Sequence, residues 1–313
     1  SSTSRGLGDV YKRQAAGRAE VRPGEIVTCQ VDLAMIHDSG GPRRVKPFMD
    51  KLGVNVWDPT KVVLVSDHFS PCTDAESAEI LQLTRQWAKE QNILNFYDQQ
   101  GICHIVTPER GHLHPGMFAV GGDSHSPTGG AFGCYMFGIG ATDMLGVLVT
   151  GETWIKVPET IKINWSGIFT EGVAAKDMAL KMCSVLGMDG ADYQSILYTG
   201  STIQSLDMYE RMTLCNMAAE LGAQAGLIEP DIITEEFVLK AGGKLDCSQK
   251  FKCDPGANYF KVHNFDANTL DPQVAVPHSP ANSASVVEVD KAEIDQFYVC
   301  LLYTSDAADD TPC

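Results

Sequence analysis

Hydrophobic positions along this chain fall into short blocks whose spacing switches between the strand period and the helix period. After a Pro23-Gly24 turn, residues 26–33 alternate apolar and polar and are predicted as a strand. Residues 34–37 lead toward a helix that starts near Pro42 and carries Lys46, Phe48 and Met49. Residues 61–65 read as a strand, and Asp74 opens a helix reaching Gln91, with Ala78, Ile80, Leu81, Leu83 and Trp87 as its apolar positions. Residues 93–97 and 102–106 read as short strands and 117–120 as a buried one. The small, apolar stretch 131–150 is predicted as a tightly packed helix. A strand at 161–165, a helix at 174–186 and a helix from Met208 follow. Strands alternating with helices predict an α/β fold class built in layers. Residues 243–280 are less regular, and His278, set among prolines, reads as structural.

Composition narrows the choice of partners. The 313 residues suffice for two average domains, and 44% hydrophobic content allows a substantial core. No apolar run approaches the roughly 18 residues of a membrane span, so no membrane association is predicted. A formal net charge of −16 argues against nucleic acid and leaves an anionic substrate to local positive groups. The ten cysteines include no Cys-x-x-Cys pair, Cys247 and Cys253 being the nearest to each other. Scattered in this way, they read as reduced, mostly buried thiols of a cytoplasmic protein.

The chemistry concentrates in residues 120–133, VGGDSHSPTGGAFG, where Asp123, Ser124 and His125 follow an apolar run amid Gly121, Gly122, Gly129, Gly130 and Gly133. A strand, a glycine-rich turn holding Asp-Ser-His and a buried helix describe an active-site loop of an α/β enzyme, or a turn whose Asp and Ser only cap a helix. Three further places carry polar residues at the ends of apolar runs. Ser66-Asp67-His68 follows residues 62–65, and His104 stands at the edge of another run. Asn216 and Glu220, four apart, are expected on one helical face. His37 lies at a strand-to-helix passage, where Asp38 or Ser39 could cap the helix.

In this order, SDHF, GICH, GGDSHSPTGGAFG and TLCNMAAELGAQAG resemble the aconitase superfamily. The similarity is greatest to the large subunits of 3-isopropylmalate dehydratase and of its homoaconitase and dimethylmalate- or citramalate-type relatives, and it runs from about residue 15 to Val299. It implies an aconitase-type layered α/β/α sandwich, present here as a truncated N-terminal portion, with a first lobe at 15–158 and a second at 159–299. It implies a hydro-lyase that isomerises a hydroxy diacid by dehydration and rehydration, most readily 3-isopropylmalate in leucine biosynthesis. By the same resemblance, Asp67, His68, His104, Asp123, His125 and Glu220 are catalytic, paired as His68 with Asp67, His104 with Asp123 and His125 with Glu220. His37, Ser124 and Asn216 would position the substrate or a water.

The resemblance also implies a [4Fe-4S] cluster and a small subunit or fused swivel domain. The family's first cluster cysteine follows the position of Val299, where this chain reads Cys300-Leu-Leu-Tyr-Thr out of register. No cluster, and no activity, is therefore expected of this chain by itself. Residues 1–14 and 300–313 look foreign and resemble translated adapter sequence. Two readings of other classes compete. One is a divalent-metal hydrolase using Asp123, His125, His68, His104 and Glu220 as ligands; the other is a lobe that only docks a partner.

Overall fold

The computed structural model describes residues 14–245, 251–253 and 256–289; Cys247, Cys300 and both foreign-looking tails, apart from Gln14, lie outside the described residues. Two parallel sheets organise the molecule. The first has five strands: β2 (Leu33–His37), β3 (Val62–Ser66), β4 (Asn95–Asp98), β5 (Phe118–Gly121) and β6 (Tyr135–Gly138). Their spatial order is β4-β3-β2-β5-β6, and every neighbouring pair is parallel. The chain works outward from β2 through β3 to β4, then returns to build β5 and β6 on the other side. The order therefore reverses between β2 and β5, and a crevice opens at the carboxyl ends of these strands. β2 and β3 are buried at every position, as expected of strands covered on both faces.

The second sheet holds β8 (Thr160–Ser166), β9 (Ser195–Thr199), β10 (Ala225–Ile228) and β11 (Lys261–Asp266) in the order β10-β9-β8-β11, again all parallel. One hydrophobic cluster joins the sheets, since Leu33, Met35, Val63 and Val65 of the first belong to it with Ile161, Ile163, Trp165 and Tyr198 of the second. The expected boundary near Pro158 falls in the link between β7 (Glu152–Lys156) and β8. β7 pairs antiparallel with β1 (Ile26–Gln30) in a separate ribbon, and β12 (Gln273–Ala275) pairs with β13 (Ser283–Ser285) in another.

Helices follow the strands: α1 (Pro42–Leu52), α2 (Ala75–Glu90), α3 (Cys103–Glu109), α4 (Ala141–Thr150), α5 (Ala175–Leu186), α6 (Ser201–Ser205), α7 (Met208–Asn216) and α8 (Ile232–Lys240). Asp74 caps α2 as its position predicts, accepting a hydrogen bond from the Ser77 amide at 2.8 Å. At α8 the cap is Asp231, which also pairs with the fully buried Arg211 guanidinium through two 2.7 Å contacts.

Several predicted elements need correction. The strand expected over 26–33 is two strands in different sheets, and residues 34–37 belong to the second. Asp32 makes the transfer: its amide donates to the Phe118 carbonyl and its carboxylate accepts from the Phe118 amide, which moves the chain from the ribbon to β5. The stretch 131–150 is not one helix. A 3₁₀ segment (Ser126–Phe132) ends at Gly133 with φ +65°, β6 follows, and α4 starts only at Ala141. Residues 102–106 open a helix, since a short apolar run does not distinguish strand from buried helix by periodicity. α7 stops at Asn216, and Glu220 lies in a separate 3₁₀ turn (Ala219–Leu221), so the two do not share one helix.

Candidate active site

The crevice at the strand reversal collects polar side chains from four loops. His37 ends β2 and Asp38 follows it; Asp67 and His68 follow β3; Asp123 and His125 follow β5; His104 sits in the first turn of α3. The parallel register brings His37 beside Val65 and Met35 beside Gly121, so the three loops emerge side by side. A β-carbon on Gly130 would overlap the carbonyl oxygen of Gly226 in β10. Only glycine lets the 3₁₀ segment behind the loop press this closely against the second sheet.

His68 is the charged centre. Its Nδ1 donates to Asp67 Oδ1 at 2.8 Å, and its Nε2 stands 3.9 Å from Asp123 Oδ2. Asp38 Oδ1 lies 3.9 Å from Nδ1. Burial alone would lower this imidazole's pKa. The hydrogen bond and charge of Asp67, aided by Asp123 and Asp38, outweigh that and push it up to about 9. His68 is therefore an imidazolium at neutral pH, and with 26% of its side chain exposed it can meet a ligand. Burial would raise Asp67, but its bond to His68 and the amide of Cys103, which donates to Oδ2 at 2.6 Å, hold it below the usual carboxylate range.

His37 stacks on His68 with ring centroids 3.9 Å apart. Its Nε2 donates to the Gly122 carbonyl at 2.9 Å and its Nδ1 accepts from the Gly40 amide at 3.3 Å. Burial first, and then the charge of His68, push its pKa down, so this ring is neutral.

Asp123 is held by His104 Nε2 at 2.6 Å and by the His125 amide at 2.8 Å, both on Oδ1. Burial would raise its pKa, but the hydrogen bond with His104, aided by the His125 amide, takes it far below the ordinary value. Asp123 thus spans two histidines, with Oδ1 on His104 and Oδ2 facing His68.

His125 is buried, with its ring edge-on to His104 at 6.4 Å and its Nδ1 3.5 Å from the backbone carbonyl of Asn216. The expected pairing of His125 with Glu220 does not form among the described residues: no ion pair or hydrogen bond joins them. Glu220, largely buried after the end of α7, instead exerts its charge on Lys176 and Cys183 of α5. α7 ends at Asn216, and Glu220 lies in the separate 3₁₀ turn that follows it. Of the three substrate-positioning residues, His37 and Asn216 are buried beside the crevice, while Ser124 is exposed at the loop tip.

Asp38 was missed as a site residue. It caps no helix: its two oxygens accept from the amides of His68 and Phe69, each at 3.1 Å, and clamp the loop that carries His68. Only its place beside a histidine at a strand end could have singled it out.

Ligand atoms of His37, Asp38, Asp67 and His68 lie within 4.8 Å of one another, the only group of this kind among the described residues. It is not the set Asp123, His125, His68, His104 and Glu220 of the metal-hydrolase reading, which does not assemble here. The four residues are also already engaged, with carboxylate oxygens on backbone amides and both His37 nitrogens in hydrogen bonds. Iron–sulfur clusters are held by converging cysteine thiolates, three of them in the set that the resemblance implies. Among the described residues no three cysteines converge, and burial pushes the thiols of Cys134 and Cys215 up and that of Cys183 to about 12. These residues do not fit a cluster.

Comparison with known proteins follows the same line. Residues 9–301 match the profile described as "Aconitase family (aconitate hydratase)". The chain is 43% identical over 291 residues to the "Probable methanogen homoaconitase large subunit" of Methanothermobacter thermautotrophicus, covering 91% of this chain and 68% of that protein. It is 42% identical over 286 residues to "3-isopropylmalate dehydratase large subunit 1" of Methanopyrus kandleri, with the same 91% and 68% coverage. To the "3-isopropylmalate dehydratase large subunit" of Syntrophus aciditrophicus it is 40% identical over 282 residues, covering 90% and 67%.

Proposed function

The chain belongs to the aconitase family, and on that premise we propose that it is the large, catalytic subunit portion of a hydro-lyase that isomerises a hydroxy diacid by removing and re-adding water. 3-Isopropylmalate is the first candidate substrate, because relatives at about 40% identity carry that name; the hydroxy tricarboxylates of the homoaconitase reaction are the second, from the methanogen relative. Enzymes of this family normally use a [4Fe-4S] cluster as Lewis acid. By resemblance its three cysteines belong past Val299, outside the described residues. The relatives' designation as large subunits supports a small-subunit partner. No helix among the described residues is long and apolar enough to cross a membrane.

The observation that carries the reading is the His68–Asp67 pair facing Asp123 across 3.9 Å. Dehydration of a hydroxy acid needs a proton delivered to a departing hydroxyl. His68 keeps that proton on Nε2 at neutral pH because Asp67 holds Nδ1, and it stands at the partly open edge of the crevice. Asp123, kept ionised and bonded to His104, fixes the opposite wall. His37, neutral and stacked on His68, keeps the imidazolium ring in plane without adding charge.

The test joins residues 15–299 to the remaining third of a curated relative together with that relative's small subunit, and measures isomerisation of 3-isopropylmalate and homoisocitrate. We expect turnover of one of them, reduced roughly 10²–10⁴-fold by His68→Gln and by His125→Ala. An active assembly indifferent to His68→Gln would remove His68 as the acid.

A further inference from the structure

The crevice is short of positive charge. Asp38, Asp67 and Asp123 bring three carboxylates to His68, and of the two stacked rings His68 is the imidazolium while His37 is neutral. A diacid that enters adds two more negative charges, so a further cation must meet it.

Arg43 stands at the rim. It lies half-buried in the first turn of α1, which starts just past the carboxyl end of β2. Its Nε donates to the Ser39 carbonyl at 2.7 Å, and the guanidinium carbon is 5.3 Å from the centroid of the Phe69 ring. Ser39 follows Asp38 in the loop that leaves β2, and Phe69 follows His68 in the loop that leaves β3. Asp38 ties these loops together through the His68 and Phe69 amides. Arg43 therefore spans the two loops that carry the stacked rings of His37 and His68.

The side chain does not serve the helix. A cation in the first turn opposes the helix dipole, and α1 has neither an acid there nor a side-chain cap to offset it. Among the described residues no carboxylate pairs with Arg43, whereas Arg18, Arg22, Arg85 and Arg211 each have one. The Ser39 bond and the Phe69 face fix the guanidinium, and among the described residues no hydrogen bond occupies its two Nη nitrogens. A fork held in this way matches the two oxygens of a carboxylate.

We propose that Arg43 is a substrate-binding residue whose two Nη groups take one carboxylate of the hydroxy diacid at the rim of the crevice, beside His68. The proposal rests on the hydroxy-diacid reading above and adds the residue that receives one of the acid groups.

The experiment titrates the full chain with malate, lactate and 3-hydroxypropanoate, and follows the Arg43 Nε–H by ¹⁵N NMR. The last two each keep the hydroxyl and lack one of malate's carboxylates. In the wild type we expect malate to bind tightest and to shift the Arg43 signal. Arg43→Met should weaken malate about tenfold, the scale of one hydrogen bond to a charged group. It should also weaken only one of the two monoacids, the one that keeps the carboxylate held by Arg43. Arg43→Lys, which keeps the charge without the fork, should recover part of the loss. A merely structural role would weaken all three ligands alike, and that result overturns the proposal. Malate binding indifferent to Arg43→Met also overturns it while leaving the diacid reading in place. Binding of none of the three by the wild type removes both.

Discussion

The rings of His37 and His68 stack 3.9 Å apart and within 11° of parallel, yet only one carries a charge. Three carboxylates face His68, whereas the nitrogens of His37 are taken up by Gly122 and Gly40. A second positive charge at this distance would be repelled, and burial disfavours it further. The first prediction follows. Asp67→Asn should bring the pKa of His68 down from about 9 toward its ordinary value, and His37, relieved of a charged neighbour, should become easier to protonate. Histidine ¹H–¹⁵N titration reads both. An unshifted His68 would mean that Asp67 is not its principal partner.

Stability should fall on both sides of neutrality. His68 has a raised folded pKa, so its contribution is complete below the unfolded value of 6.5 and is lost as the pH climbs through about 9. His37, Asp67 and Asp123 have lowered folded pKa values, so their contributions exist above their unfolded values and are lost on acidification. Melting temperature against pH should therefore be highest near pH 6.5 and fall on either side. His68→Gln should flatten the alkaline limb and leave the acid limb, and an alkaline limb that survives this change counts against the assignment.

Arg211 is fully buried, and its only carboxylate partner among the described residues is Asp231, whose side chain is 35% exposed. Asp231→Ala strands that guanidinium and also removes the cap of α8. We expect a loss of about 3 kcal/mol, the lower end for breaking a buried pair, because half of this one reaches water. Asp231→Asn, which keeps an acceptor for the helix amides, should cost less. Urea unfolding midpoints compare the two, and equal losses would argue that the charge is immaterial.

Two glycines should respond in opposite directions. Gly130→Ala pushes a methyl group into the Gly226 carbonyl and should prevent the native packing of the two sheets. Gly146 lies within α4 with open space around its would-be β-carbon, so Gly146→Ala should stabilise by about 0.5–1 kcal/mol. Circular dichroism during denaturant titration checks both; a Gly130→Ala protein as stable as the wild type would contradict the close approach.

The sequence revealed what short-range chemistry determines. The alternation of apolar runs marked β3, β8, α2 and α5 within a residue or two, and the motifs at Asp67-His68, His104 and Asp123 identified side chains that do converge. It did not reveal what depends on partners distant in the chain. Residues 26–37 look like one strand and a passage because nothing local says that Asp32 will bond to Phe118. Residues 102–106 suit either a strand or a buried helix, and the Asp67 carboxylate that receives the Cys103 amide lies 36 residues earlier. Asp38 looked like a helix cap because that is what Asp usually does at a strand-to-helix passage. Asn216 and Glu220 look like one helical face from their spacing, but the helix ends at Asn216 and Glu220 falls in a separate 3₁₀ turn.

The pressing of Gly130 against Gly226 bears on how the molecule comes to be folded. The loop bearing Asp123 and His125 is backed on one side by a strand that the ribosome makes about a hundred residues later. When the first sheet has emerged, β2, β3 and β5 can already pair, but the wall that holds the loop's glycine turn is still to be synthesised. The sheet can thus be native while the crevice is unset, and the acid–base residues reach their final spacing only when β10 docks. During that interval the glycine-rich loop that carries His125 has nothing behind it to hold its turn.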